Sequence, residues 1–166
     1  MTSAHETADP LRPHSHEPNP VPPGDDATIQ FVGVDGRTHP LTIADLRRLP
    51  ETSVPNCYIV STGHGTSGPF TFTGAALLAV INANSLDPWT EVEVVSADGF
   101  GNRVYAAELF KPDPAGPILL AYALDAQLLS RAQGLVRLIV PSERDDALRQ
   151  VKWVREVRVV GDEERP

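Results

Sequence analysis

The sequence is short of several things at once. It holds one cysteine in 166 residues, Cys57. A lone cysteine closes no intramolecular disulfide, so no disulfide framework staples this chain, and the composition suits a reducing compartment. Positive charge is scarce: 14 Lys and Arg stand against 22 Asp and Glu, a net charge of -8. Nucleic acid and anionic membrane surfaces both demand a positive field, so general binding to either is disfavoured. No apolar run approaches the roughly 18 residues that span a bilayer. The opening stretch, MTSAHETADPLRPHSHEPNPVPPGDD, has no basic segment followed by an apolar one and does not read as a secretory signal. These absences predict a soluble, cytoplasmic chain with no nucleic-acid or membrane partner, and they set no oligomeric state.

What is present divides into a tail and a domain. Residues 1–26 hold six of the 16 prolines, three of the five histidines and almost no large apolar side chain. Such a segment buries too little surface to offset its ordering entropy, so it reads as a disordered leader. Its HSH (His14 to His16) with His5 offers imidazoles to a stray metal ion, but a solvated polar tail is the better account of them. Residues 27–161 carry the hydrophobic patterning of one domain, and residues 162–166, DEERP, read as a flexible tail.

Within the domain, short strands dominate. TIQFVGV is β-branched and aromatic, and Asp35-Gly36 follows it as a tight turn. LTIADLRRLP is a short helix capped by Thr42, with Asp45 three residues on as a partial capping box and Pro50 as the stop. NCYIVS is a strand, TGHGTSG a loop and GAALLAVINAN an apolar helix. TEVEVVS alternates as a half-buried strand does, and ADGFGN turns into RVYAAEL. PILLAYAL, LVRLIVP and VREVRVV complete the strands. With many short strands, few short helices and no βαβ rhythm, the fold class is α+β, a β-rich domain of mixed sheets.

The chemistry concentrates in two places. Strand alternation puts Cys57, Ile59 and Ser61 on one face. The loop beyond gathers Thr62, Gly63, His64 and Gly65 with further Ser, Thr and Gly. Glycines let backbone N–H groups approach a ligand, and hydroxyls and imidazole add directed hydrogen bonds, so this is either a ligand cradle or a polar surface loop. Cys57 and His64 carry no known nucleophile–base signature, and one Cys with scattered His does not make a closed zinc set. The second place is LRQVKWVREVRVV, where Arg149 and Lys152 sit beside Trp153 just before a strand. Such a pair can hold a phosphate, the Arg by its fork and the Lys as a point charge, or can form a basic solvated turn.

Five stretches, in order, resemble the molybdopterin-binding domain of the sulfite oxidase family. They are LTIADLRRLP, FTFTGAALLAVI, VEVVSADGFGNRV, PILLAYALDAQLL with GLVRLIVP, and VKWVREVRV. The resemblance runs from about Leu41 to Val160. It implies an oxidoreductase domain of the oxygen-atom-transfer type that binds molybdopterin, the molybdenum cofactor, with the Cys57 thiolate on the metal. By the same resemblance, Lys152 with Arg149 nearby holds the pterin phosphate, His64 and its loop face the pterin or the metal, and Arg137 is a further candidate. No haem, flavin or iron–sulfur pattern is present, so electrons would leave to a separate electron-transfer protein. The sequence departs from sulfite-oxidising members after the cysteine, where YIVST replaces Ala-Gly-Asn and a nearby Arg. It departs again where Asp125-Ala126 replaces an Asn-Gly turn and Gln133-Gly134 replaces His-Gly. A non-catalytic pterin or anion binder, or a cofactor-free interaction module on the same fold, is the alternative expectation.

Overall fold

In the computed structural model, residues 26–61, 65–142 and 149–161 are described, with side chains for all of these except 58–61 and 65–67. Two sheets carry the fold. The first orders its strands β2 (Thr38–Leu41), β1 (Ile29–Val32), β10 (Val154–Val160), β5 (Glu91–Ser96) and β6 (Gly101–Tyr105). Only β1 and β10 run parallel in it, as the mixed-sheet expectation requires. The second orders β3 (Glu51–Ser61), β4 (Gly65–Ala76) and β7 (Leu119–Leu124). The far edge of β7 pairs with both β8 (Gln127–Leu128) and β9 (Arg137–Ile139). Three short helices complete it: α1 (Ile43–Arg47), α2 (Leu77–Asn84) and α3 (Ala106–Phe110). Among the described residues no helix is long and apolar enough to cross a membrane.

The main core lies between the sheets. Phe31, Val92, Val94, Val157 and Val159 from the first sheet meet Ala75, Leu120 and Leu138 from the second, with Leu77, Val80 and Ile81 of α2. The alternation of TEVEVVS is realised, with Val92 and Val94 fully buried. α1 begins where the sequence says: Thr42 accepts from the Asp45 N–H at 3.2 Å while the Asp45 carboxylate accepts from the Thr42 N–H at 2.9 Å.

Three expectations need correction. GAALLAVINAN does not begin its helix at Gly74: Gly74, Ala75 and Ala76 pair with Ala121, Leu120 and Leu119, and the helix starts at Leu77. Gly65 to Ser67 are not loop but strand, paired with Ser61 to Ile59. RVYAAEL is split, its strand ending at Tyr105 and α3 opening at Ala106.

The β3–β4 ribbon carries two irregularities that cancel. Between Val54 and Cys57, β3 has one extra residue against β4, and Asn56 there adopts a φ of 60°. Between Ser67 and Phe70 the extra residue lies on β4 instead. A bulge reverses which face the following side chain takes. Cys57 therefore shares its buried face with Val54, three residues earlier, and simple alternation does not run unbroken through the cysteine.

Candidate functional site

The second sheet buries its other face too. There Val54, Cys57, Phe72, Leu119, Ala121, Leu129 and Ile139 form a smaller apolar cluster, with Phe70 and Leu124 against it. Cys57 is 3% exposed, and its thiol donates to the Val54 carbonyl at 3.5 Å. Burial pushes this thiol up from 9.0 to about 11. The anionic form is the one that loses most by leaving water, so without a partner charge the proton stays on.

Arg137 opens β9 two residues before Ile139 and takes the same face. Its carbon Cζ sits 5.8 Å from the centre of the Phe72 ring. Phe72 thus touches the cysteine's cluster on one side and the guanidinium on the other. Arg137 is 3% exposed. Nη1 donates to the Gln133 carbonyl at 3.1 Å and Nη2 to Gln150 Oε1 at 3.3 Å, while the buried Nε has no partner among the described residues. Burial draws this group down to about 10, which leaves it charged at neutral pH.

Lys152 stands beside it. Burial lowers the Lys152 ammonium, and the Arg137 charge lowers it further, against a weaker opposing pull from Asp98. A neighbouring cation lowers an ammonium in this way only when close. The backbone between them is tight. Gly134 has a φ of 110°, and a Cβ there would lie 3.1 Å from Arg137 Cγ and 3.3 Å from Lys152 Cβ. Trp153, at a φ of 51°, donates its N–H to the Gly134 carbonyl at 2.9 Å and its indole N–H to the Arg131 carbonyl at 2.6 Å. Its ring lies 5.6 Å from Lys152 Nζ. No carboxylate lies within salt-bridge distance of Arg137 or Lys152 among the described residues.

Arg149 goes elsewhere. Its guanidinium forks onto the Glu108 carboxylate of α3, with Nη2 to Oε2 at 2.9 Å, and also donates to the Arg103 carbonyl at 3.3 Å. Burial works to raise the Glu108 carboxyl, but hydrogen bonds from Arg149 and the Tyr105 N–H outweigh it and hold it below its usual range. The structure therefore brings Arg137 and Lys152 together, sets Cys57 on the same sheet face as Arg137 across Phe72, and commits Arg149 to α3. Thr62, Gly63 and His64 lie outside the described residues. Gly65 pairs with Ser61 in the ribbon. Gln150 was not singled out from sequence. Its only signal was position, one residue from Arg149 and two from Lys152.

These residues fit a pterin-bound molybdenum group by their donor chemistry. Cys57 is a single soft donor. Among the described residues Arg137 and Lys152 are an unneutralised cation pair with one buried N–H left over, which suits an anionic tail. A separate cavity of about 200 Å³, lined by Glu108, Lys111, Asp113, Ile118, Val140 and Ser142 among others, opens beside α3.

Comparison with known proteins identifies the family and the fold. The model of the oxidoreductase molybdopterin binding domain matches residues 16–166. Mitochondrial sulfite oxidase of Drosophila melanogaster is 26% identical over 176 aligned positions, covering 90% of this chain and 30% of the relative. The crystal structure of the sulfane dehydrogenase SoxCD from Paracoccus pantotrophus superposes with a TM-score of 0.62 at 22% identity, covering 82% of this chain and 38% of that one, and shows the shared fold. The chain thus spans about a third of each of these proteins. With nearly its whole length matched, it belongs to the oxidoreductase molybdopterin-binding domain family, of the sulfite oxidase type.

Proposed function

We propose that this domain binds a molybdenum cofactor, with Cys57 as its protein thiolate ligand and Arg137 and Lys152 holding the phosphate of the pterin. The observation that carries the reading is the Arg137–Lys152 pair. Two adjacent cations, one of them fully buried with an orphaned Nε and lowering the other, stand without a carboxylate among the described residues, beside the sheet that presents Cys57. Burying uncompensated charge is costly, and a ligand phosphate removes the cost. Arg149 is not part of this set, because Glu108 already occupies its fork.

When bound, the group supplies two-electron redox chemistry for oxygen-atom transfer. The chain's own residues do the rest. Cys57 would give up its proton on coordinating, as a metal-bound thiol does. Phe72 and its neighbours keep water from the thiol, and Phe72 meets Phe70 edge-on at 6.4 Å. Trp153 and Gly134 fix the backbone from which Lys152 reaches the anion. Electrons would pass to a carrier outside these residues, which hold no haem, flavin or iron–sulfur motif.

The test is elemental analysis for molybdenum on protein purified from a host that makes the cofactor, wild type beside Cys57→Ser, with circular dichroism to verify that both are folded. Near-stoichiometric molybdenum lost in the variant is the expected result. No molybdenum in either would overturn the reading and leave a cofactor-free module of the same fold.

A further inference from the structure

We propose that Gln150 is a positioning residue that holds Arg137 in place without cancelling its charge, so that the buried guanidinium stays available to a phosphate monoester. This rests on reading Arg137 and Lys152 as the phosphate end of the site.

The molecule itself supplies the comparison. Every other part-buried arginine among the described residues is held by a carboxylate. Arg103 pairs with Glu91 at 2.7 Å and with Glu93 at 3.3 Å. Arg149 pairs with Glu108, and Arg158 with Glu156 at 3.4 Å. With 22 acidic residues in the chain, a carboxylate is the ordinary anchor here. Arg137, the most buried of them, is the exception. Its three anchors are the Gln133 carbonyl, Gln150 Oε1 and the Phe72 ring, and all are neutral.

A glutamate at position 150 has nearly the same shape and places an oxygen where Gln150 Oε1 already accepts. It would give Arg137 a better hydrogen bond and a counter-charge. The amide gives the hydrogen bond alone. The guanidinium is therefore oriented, with Nη1 and Nη2 engaged and Nε unpartnered, while its positive charge stays unspent beside Lys152. A site meant only to be stable has no use for that arrangement, because breaking even in a buried pair needs the opposite charge present. A site meant to attract an anion requires it.

The experiment uses the full chain without cofactor and inorganic phosphate as the probe. Affinity is read by titration, Arg137 Nε–H by its nitrogen–proton NMR signal, and folding by thermal melting. Phosphate is expected to shift the Arg137 Nε–H signal in the wild type. Gln150→Glu is expected to melt at the same or a higher temperature and to bind phosphate at least about tenfold more weakly. A purely structural Gln150 would give the stability result without the affinity loss, so wild-type affinity in Gln150→Glu overturns the proposal. Lys152→Ala separates the underlying reading. If it loses phosphate while Gln150→Glu does not, the phosphate site stands and the role of Gln150 falls. If Lys152→Ala binds as wild type does, or if the wild type shows no phosphate-dependent shift, the site reading falls and the proposal with it. Should Gln150→Glu fail to fold, Gln150→Leu carries the test. It removes the acceptor, should move the Arg137 Nε–H signal before any phosphate is added, and should weaken phosphate binding. An unmoved signal with unchanged affinity overturns the proposal.

Discussion

Iodoacetamide should alkylate Cys57 slowly in the cofactor-free protein, and the structure sets how slowly. Only the thiolate reacts. Burial raises this thiol from 9.0 to about 11. At pH 8 that shift cuts the thiolate fraction from roughly one in ten to roughly one in a thousand, about a hundredfold. Access slows it further, because the residue is 3% exposed among Val54, Phe72 and Ile139. Intact-mass measurement of the alkylated fraction with time, in native buffer and in urea, reads the ratio directly. A native rate within about threefold of the unfolded rate would refute the burial argument. The native rate should also keep climbing through the pH range in which an ordinary thiol has levelled off, up to about 11. The linkage sign agrees. The folded state holds this proton more tightly than the unfolded one, so the stability it contributes is complete below pH 9 and falls as pH rises through 11.

Other expectations follow from single positions. Ala126→Gly should stabilise the fold by about 0.5 to 1 kcal/mol in a denaturant melt. Asp125 and Ala126 form a two-residue hairpin loop with φ values of 48° and 71°, and a left-handed Ala costs more than the added chain entropy of Gly. Gly74→Ala should cost about 3 kcal/mol or more, or prevent folding, because its Cβ would lie 2.0 Å from the Leu120 carbonyl oxygen. Arg149→Ala should cost about 2 kcal/mol by freeing Glu108, yet leave phosphate affinity as it is, which distinguishes its place from that of Lys152. Phosphate affinity should weaken on the alkaline side from below the ordinary lysine range, since the Lys152 ammonium is held below that range.

Local chemistry was the legible part of the sequence. Thr42 and Asp45 cap α1 through contacts three residues apart, and Val92 and Val94 declare their strand by period. Gly74 to Ala76 were not legible as strand, because an apolar run of small residues suits helix and strand alike. Pairing with β7, some 45 residues on, decides it. Distance along the chain also hid the fate of the arginines. Arg149 drew attention because it neighbours Lys152, and the sequence gives no sign that its guanidinium pairs with Glu108, 41 residues away. Arg137 sits 15 residues before Lys152 in sequence, and the Leu138–Val151 bridge brings their strands together. The strand reading of NCYIVS placed Cys57 in β3 and the family resemblance implied its role on a metal, but it is the packing that shows how deeply its thiol is buried and why it holds its proton.

The two irregularities of the β3–β4 ribbon give it slack at the cysteine. Val54 pairs with Phe72 and Cys57 with Phe70, so one residue between Val54 and Cys57 is surplus to the ladder, and Asn56 carries the unusual φ there. Removing Asn56 would keep both pairs and leave Cys57 two residues from Val54, still on the same face but now by simple alternation. The ribbon can therefore lose that residue, here or when grafted into another domain, and still deliver its cysteine to the same side.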